Sequence, residues 1–348
     1  MLEARKIPAT VITGFLGAGK TTLIRHLIEN ANGRRIALIV NEFGDVGIDG
    51  EMLKACGNED CGDDDIIELA NGCICCTVAE DFIPTMENLL ARSEPPEYIV
   101  IETSGLALPQ PLVRAFNWPE IKTRVTVDGV VTLIDAAALA LGKVTQSEAQ
   151  IEARRQADDM LDHETPLGEL FEDQVSCADL VILNKTDLIS KDEADRIETG
   201  IKDQVRNGGA IIRAAHGKLP PEVLIGLEAG AEDDERLSHH ESSSGGHHHD
   251  HDDFESFAVE LGEIRDQKQF IANLKPVLTD HGILRLKGFA AISSKPMRLV
   301  IQAVGPRIDA YFDREWKTGE NRRGALVVIG EAHLDKPAIT AAILAAGA

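Results

Sequence analysis

Over residues 1–227, short runs of consecutive apolar residues alternate with stretches whose apolar positions recur every three or four residues. The runs are ATVIT (9–13), RIALIV (35–40), YIVIE (98–102), GVVTLID (129–135) and DLVIL (179–183), all rich in Val and Ile. Between them lie patterns such as TTLIRHLIEN and FIPTMENLLAR, which place their apolar residues on one helical face. Unbroken apolar runs imply strands covered on both faces, and a helix between successive strands implies parallel pairing. The end of the chain reads differently. FESFAVEL, ILRLKGFAAI, RLVIQAVG and ALVVIG occur with helical patterns near 266–275 and 336–346, which predicts a smaller α+β domain on a largely antiparallel sheet.

Between these two parts the apolar periodicity stops. Residues 228–255 hold ten acidic side chains against one Arg, a net −9 in 28 residues, with six of the eleven His and the run SSSGG. Such a stretch buries too little apolar surface to offset the entropy of ordering it. Three segments are therefore expected: an α/β domain at 1–227, an acidic His-rich flexible linker at 228–253 and the α+β domain at 254–348.

Charge narrows the partners. The 348 residues carry 35 Lys and Arg against 58 Asp and Glu, a formal −23, which disfavours a broad electrostatic grip on nucleic acid or anionic membrane. No run approaches the ~18 apolar residues of a membrane span. The opening MLEARKIPAT has no apolar signal core, so a cytoplasmic location is expected.

The first strand runs into GFLGAGKT (14–21), a full match to G-x-x-x-x-G-K-S/T between a strand and a helix. There the main chain of Gly14, Phe15, Leu16, Gly17, Ala18 and Gly19 can wrap phosphate oxygens, and the helix opening at Lys20, Thr21 and Thr22 adds its positive end. Lys20 is expected to reach the β- and γ-phosphates and Thr21 to bind Mg²⁺. NKTD (184–187) follows the strand DLVIL. Asp187 can accept hydrogen bonds from N1–H and the amine of guanine, whereas adenine would leave the carboxylate unpaired. Asn184 would tie the loop together and the Lys185 stem would cover the base, so the nucleotide expected is GTP. IETSG (101–105) ends a further strand; Glu102 can hold Mg²⁺ through water, and Gly105 lets the main chain approach the γ-phosphate.

Three of the six cysteines crowd into NGCICC (71–76). Thiolates on Cys73, Cys75 and Cys76 can converge on one soft or borderline cation. The Cys73–Cys76 spacing also suits a redox pair, and buried structural cysteines are the plainest alternative. NEFGDVGIDG (41–50) has the Gly and acid content of a loop that changes shape with nucleotide, and Glu42 and Asp45 are candidate metal contacts. Cys56 and Cys61 lie in an acidic loop without an assigned role, and Cys177 is expected to pack in the core. The linker imidazoles suit weak multiple binding of Zn²⁺, Co²⁺ or Ni²⁺, or form a neutral spacer.

Taken together, GFLGAGKTT, VNEFG, NGCICC, IETSG, NKTD and a His-rich linker resemble, in order, the CobW family of metallochaperone GTPases. ELANGCICCTVAEDFIPTM, IETSGLALPQPL and DHETPLGELFEDQ look closest to the branch associated with aerobic cobalamin biosynthesis. The resemblance implies a P-loop GTPase domain with a mainly parallel sheet plus the smaller C-terminal α+β domain. It implies a cysteine site that binds a transition metal when nucleotide is present. For that branch the cargo is Co²⁺ and the partner a cobaltochelatase; other branches handle zinc. A nucleotide- or metal-dependent homodimer is compatible with it. Lys20 and Glu102 are the candidates for catalysis, and no catalytic base is apparent after the E-x-x-G element. A GTP-gated regulator with a structural metal and a passive metal buffer built on the histidines are rival readings.

Overall fold

The computed structural model describes residues 6–31, 33–40, 66–68, 82–146, 166–205, 209–225, 254–316 and 322–347. They form two compact units, one from Lys6 to Leu219 and one that takes Pro220 onward.

The first unit is built on a seven-stranded sheet. Its strands are β1 (Ile7–Thr13), β2 (Ile36–Val40), β3 (Ile66–Glu68), β4 (Tyr98–Glu102), β5 (Val125–Asp135), β6 (Leu180–Asn184) and β7 (Ala210–Arg213). Their order is β3-β2-β4-β1-β5-β6-β7, and every pairing is parallel. Residues 36–40 and 98–102 are buried at every position, as unbroken apolar runs require. The helices are α1 (Lys20–Glu29), α2 (Ile83–Leu90), α3 (Pro109–Ala115), α4 (Pro119–Lys122), α5 (Ala136–Ala140), α6 (Leu167–Ser176) and α7 (Lys191–Lys202).

Two apolar clusters hold these layers. Val11, Ile39, Ile99 and Ile101 meet Phe82, Met86, Leu89, Leu112 and Phe116 in one. Phe15, Ile134, Val181 and Leu183 meet Leu170, Phe171 and Ile201 in the other. Each such side chain contributes ~1.5–3 kcal/mol on burial. Cys177 caps α6 and donates its Sγ–H to the Gln174 carbonyl at 3.2 Å, half-buried against the first cluster.

In register, Ile12 of β1 and Val40 of β2 lie opposite Glu102 of β4, and Asp135 of β5 opposite Asn184 of β6. Because every pairing is parallel, the strands end on one edge. The chain passes from β1 across β4 to β2, and from β4 across β1 to β5, so the crossovers from these two neighbours run in opposite directions and open a crevice at that edge, where ligands of open α/β sheets bind.

The second unit is a five-stranded antiparallel sheet. It contains the short helix α8 (Pro221–Ile225), β8 (Phe254–Leu261), α9 (Gln267–Asp280), β9 (Ile283–Ala291), β10 (Met297–Val304), β11 (Arg307–Glu315), β12 (Gly324–Glu331) and α10 (Lys336–Gly347). The strand order is β11-β10-β9-β12-β8. Leu299, Ile301 and Ala303 alternate inward and meet Phe270 and Leu274 of α9 and Ile339 and Ile343 of α10. The contact boundary falls between Leu219 and Pro220, ahead of the sequence boundary at 227. The apolar residues of α8 promise burial without naming the sheet that buries them. The Leu224 carbonyl accepts from Arg285 Nη1 at 3.1 Å, which ties α8 to β9. No helix among the described residues is long and apolar enough to cross a membrane.

Candidate functional site

The chain leaves β1 into Gly14, whose φ of 131° and closeness to the Leu133 carbonyl leave no room for a Cβ. Gly19 has φ 105° and opens α1 without a side-chain cap or an acidic residue in the first turn. The first N–H groups of α1 thus keep their capacity for an anion, and the helix dipole favours one. Lys20 is buried; its Nζ donates to the carbonyls of Gly14 at 2.8 Å and Phe15 at 3.4 Å. The same ammonium lies 3.9 Å from Glu102 Oε1. Thr21 is half-buried and Thr22 exposed.

Glu102 is itself buried, at the end of β4. The loop beyond it bends back over the phosphate loop: a Cβ on Gly105 would stand 2.7 Å from the Leu16 amide nitrogen. A thread from another segment meets the same loop where Thr145 Oγ1 donates to the Leu16 carbonyl at 2.9 Å.

The NKTD turn joins this arrangement from the other side. Asn184 is buried; its Nδ2 donates to the Ala18 carbonyl at 2.8 Å, and its Oδ1 accepts from the Gly217 N–H at 3.0 Å. Lys185 has φ 62°, and its ammonium bonds Asp135 Oδ2 at 2.6 Å. Asp135 in turn caps α5 by accepting from the Ala138 N–H at 3.0 Å. Asp187 lies in a 3-10 turn (Thr186–Leu188), with Oδ2 3.6 Å from His216 Nε2.

Sequence reasoning passed over several of these partners. Residues 214–217 follow β7 and meet the NKTD turn: the Ala214 carbonyl accepts from both the N–H and the hydroxyl of Thr186, at 3.2 and 3.0 Å. A short apolar strand broken by Gly217 was the available signal. Asp135 and Gln174 were also missed. Gln174 occupies an apolar stripe of α6 where a leucine would be ordinary, and a buried amide needs partners.

Cys73, Cys75, Cys76, Glu42, Asp45, Cys56, Cys61 and the His-rich linker lie outside the described residues. Among the described residues, no group of three His, Cys, Asp or Glu side chains is placed to hold a metal ion.

The chain matches known families and proteins in sequence. Residues 8–212 fit the family model described as the CobW/HypB/UreG nucleotide-binding domain. Residues 254–346 fit the C-terminal domain of the cobalamin synthesis protein cobW. A protein of Sinorhizobium sp. named zinc chaperone CobW is 57% identical, covering 98% of this chain and 97% of its own. A protein of the same name from Pseudomonas aeruginosa is 50% identical, covering 97% of this chain and 91% of its own. Among solved structures, the Zn(II)-bound YjiA GTPase of E. coli is 25% identical with a TM-score of 0.40, covering 97% of this chain and 98% of that one.

Proposed function

The chain belongs to the CobW/HypB/UreG family, and from that premise we propose that it is a GTP-hydrolysing metallochaperone. The observation that carries the reading is the joining of three distant segments at one sheet edge. Lys20 of the phosphate loop stands 3.9 Å from Glu102, and Asn184 of NKTD is bonded to Ala18 of the same loop.

In this reading residues 14–22 wrap the phosphates with main-chain N–H groups. Lys20 exchanges the carbonyls of Gly14 and Phe15 for the β- and γ-phosphate oxygens, a stronger charge-assisted contact. Asp187 reads guanine, Asn184 fixes the turn to the phosphate loop, and Lys185 lies along the base with its head held by Asp135. The Thr21 hydroxyl and the buried Glu102 carboxylate are hard oxygen donors beside the phosphate loop, a set that fits Mg²⁺. Magnesium, when bound, offsets charge on the phosphate oxygens during transfer. Glu102 and Lys20 fix the charge balance around those oxygens.

Cys73, Cys75 and Cys76 are the proposed cargo ligands, with Glu42 and Asp45 as further candidate contacts. Two relatives named zinc chaperone point to Zn²⁺ as the cargo, and thiolates suit it. Co²⁺ delivered to a cobaltochelatase is the second reading, favoured by the stretches shared with the cobalamin-associated branch. In either case a metal-acceptor protein is the partner. Binding of the triphosphate tightens the cargo site, and hydrolysis loosens it beside the acceptor.

Co²⁺ titration in the presence of Mg²⁺ and a non-hydrolysable GTP analogue tests the assignment. Thiolate charge-transfer absorption is expected for the wild type and is lost when Cys75 and Cys76 are replaced by Ser. A band that survives the double substitution would place the cargo elsewhere.

A further inference from the structure

Gln174 sits in the buried stripe of α6 with Leu170, Phe171 and Val175. Through Phe171 this helix meets the phosphate loop, where the Phe15 and Phe171 ring centroids are 6.4 Å apart. The Gln174 amide, only 1% exposed, turns to the loop beyond Glu102. Its Nε2 donates to the Gly105 carbonyl at 3.2 Å and to the Ala107 carbonyl at 3.1 Å. Two carbonyl acceptors require the NH₂ end of the amide to face them, so chemistry fixes its orientation. The Gln174 main-chain carbonyl accepts from Thr132 Oγ1 at 2.9 Å, which anchors this turn of α6 to β5. On its far side the held loop lies against the phosphate loop, with Gly105 too close to the Leu16 nitrogen for any side chain.

We propose that Gln174 is a positioning residue for the γ-phosphate. Its two hydrogen bonds hold residues 105–107 against the phosphate loop, where their main chain meets a triphosphate and not a diphosphate. The proposal rests on the GTPase reading and deepens it: the amide of α6 carries the discrimination between GTP and GDP on which gating of a cargo site depends. Gln174 takes no chemical step, because its amide is engaged with the loop. Its Oε1 is buried and has no hydrogen-bond partner among the described residues, so the two donor bonds are the amide's whole connection there.

The test uses the full chain. Gln174→Met keeps the length of the side chain and removes both donors. Affinities for fluorescent GDP and for a non-hydrolysable GTP analogue are measured with Mg²⁺, together with kcat and KM for GTP. Affinity for the analogue is expected to fall about tenfold, the worth of two ordinary hydrogen bonds, while affinity for GDP stays at its wild-type value. A lower kcat is expected with it. Equal loss for both nucleotides, or no loss for either, overturns the proposal. A wild type that binds no GTP overturns the GTPase reading beneath it. Should Gln174→Met fail to fold, Gln174→Glu turns acceptors toward the same carbonyls and must show the same selective loss. On the wild type, the Gln174 side-chain amide protons must be protected from solvent exchange and change shift when the analogue replaces GDP. Exchange at the solvent rate in both forms contradicts the clamp.

Discussion

Asn184 donates its Nδ2 to the main-chain carbonyl of Ala18 at 2.8 Å, across 166 residues of sequence. The turn that follows β6 and the loop that follows β1 are thereby one piece. The other end of the same amide receives the Gly217 N–H, so three loops share one buried side chain.

Asn184→Ala leaves the Ala18 carbonyl and the Gly217 N–H without that partner, each at a cost of ~1–3 kcal/mol. Denaturant unfolding is expected to show a loss of that size. GDP and GTP binding should weaken together, because the phosphate loop is disturbed for both. Normal stability with normal nucleotide binding would show that the joint is not structural.

Asp187→Ala is expected to erase the preference for GTP over ATP while keeping the phosphate contacts. The carboxylate lies near the exposed His216, and its accepting oxygens match guanine donors. Competition of GTP and ATP for the wild type and the variant checks this. A wild type indifferent to the base would remove Asp187 from the site.

Gly105→Ala places a Cβ 2.7 Å from the Leu16 nitrogen, so main chain must move from main chain. Overpacking of this kind costs ~1–3 kcal/mol. Binding of the GTP analogue should fall more than binding of GDP. Equal affinities to wild type would show that the loop has room to spare.

Ser190 begins α7 directly after the NKTD turn; it accepts from the Glu193 N–H while Glu193 bonds back to the Ser190 N–H and hydroxyl. The hydrogen bonds from Ser190 hold the Glu193 carboxyl below its ordinary pKa. Their contribution is present above the ordinary carboxylate range and is lost as pH falls through the lowered value. Ser190→Ala should therefore melt lower than wild type at neutral pH, and the gap should narrow in acid. A gap independent of pH would assign the loss to something other than this cap.

The parallel sheet was legible because its strands are buried on both faces and read as unbroken Val- and Ile-rich runs. GFLGAGKT and NKTD were legible because each needs particular residue types at fixed spacing just beyond a strand. What joins them was not. Asn184 was read as a tie for its own loop, yet its partners Ala18 and Gly217 are distant in sequence and contribute only main-chain atoms, which carry no side-chain signature. Gln174 was hidden for the same reason, since it grips carbonyls. Helix α8 shows the limit of periodicity: PEVLI announces a buried face, but Arg285 is 61 residues away.

Nucleotide is expected to gate metal binding. Zn²⁺ and Co²⁺ affinity of the full chain, measured with Mg²⁺ and a non-hydrolysable GTP analogue, with Mg²⁺·GDP and without nucleotide, tests it most directly. Metal binding is expected to be tighter with the analogue by ~5–150-fold, and the analogue to bind tighter by the same factor when metal is already bound. The same metal affinity in all three states would contradict it.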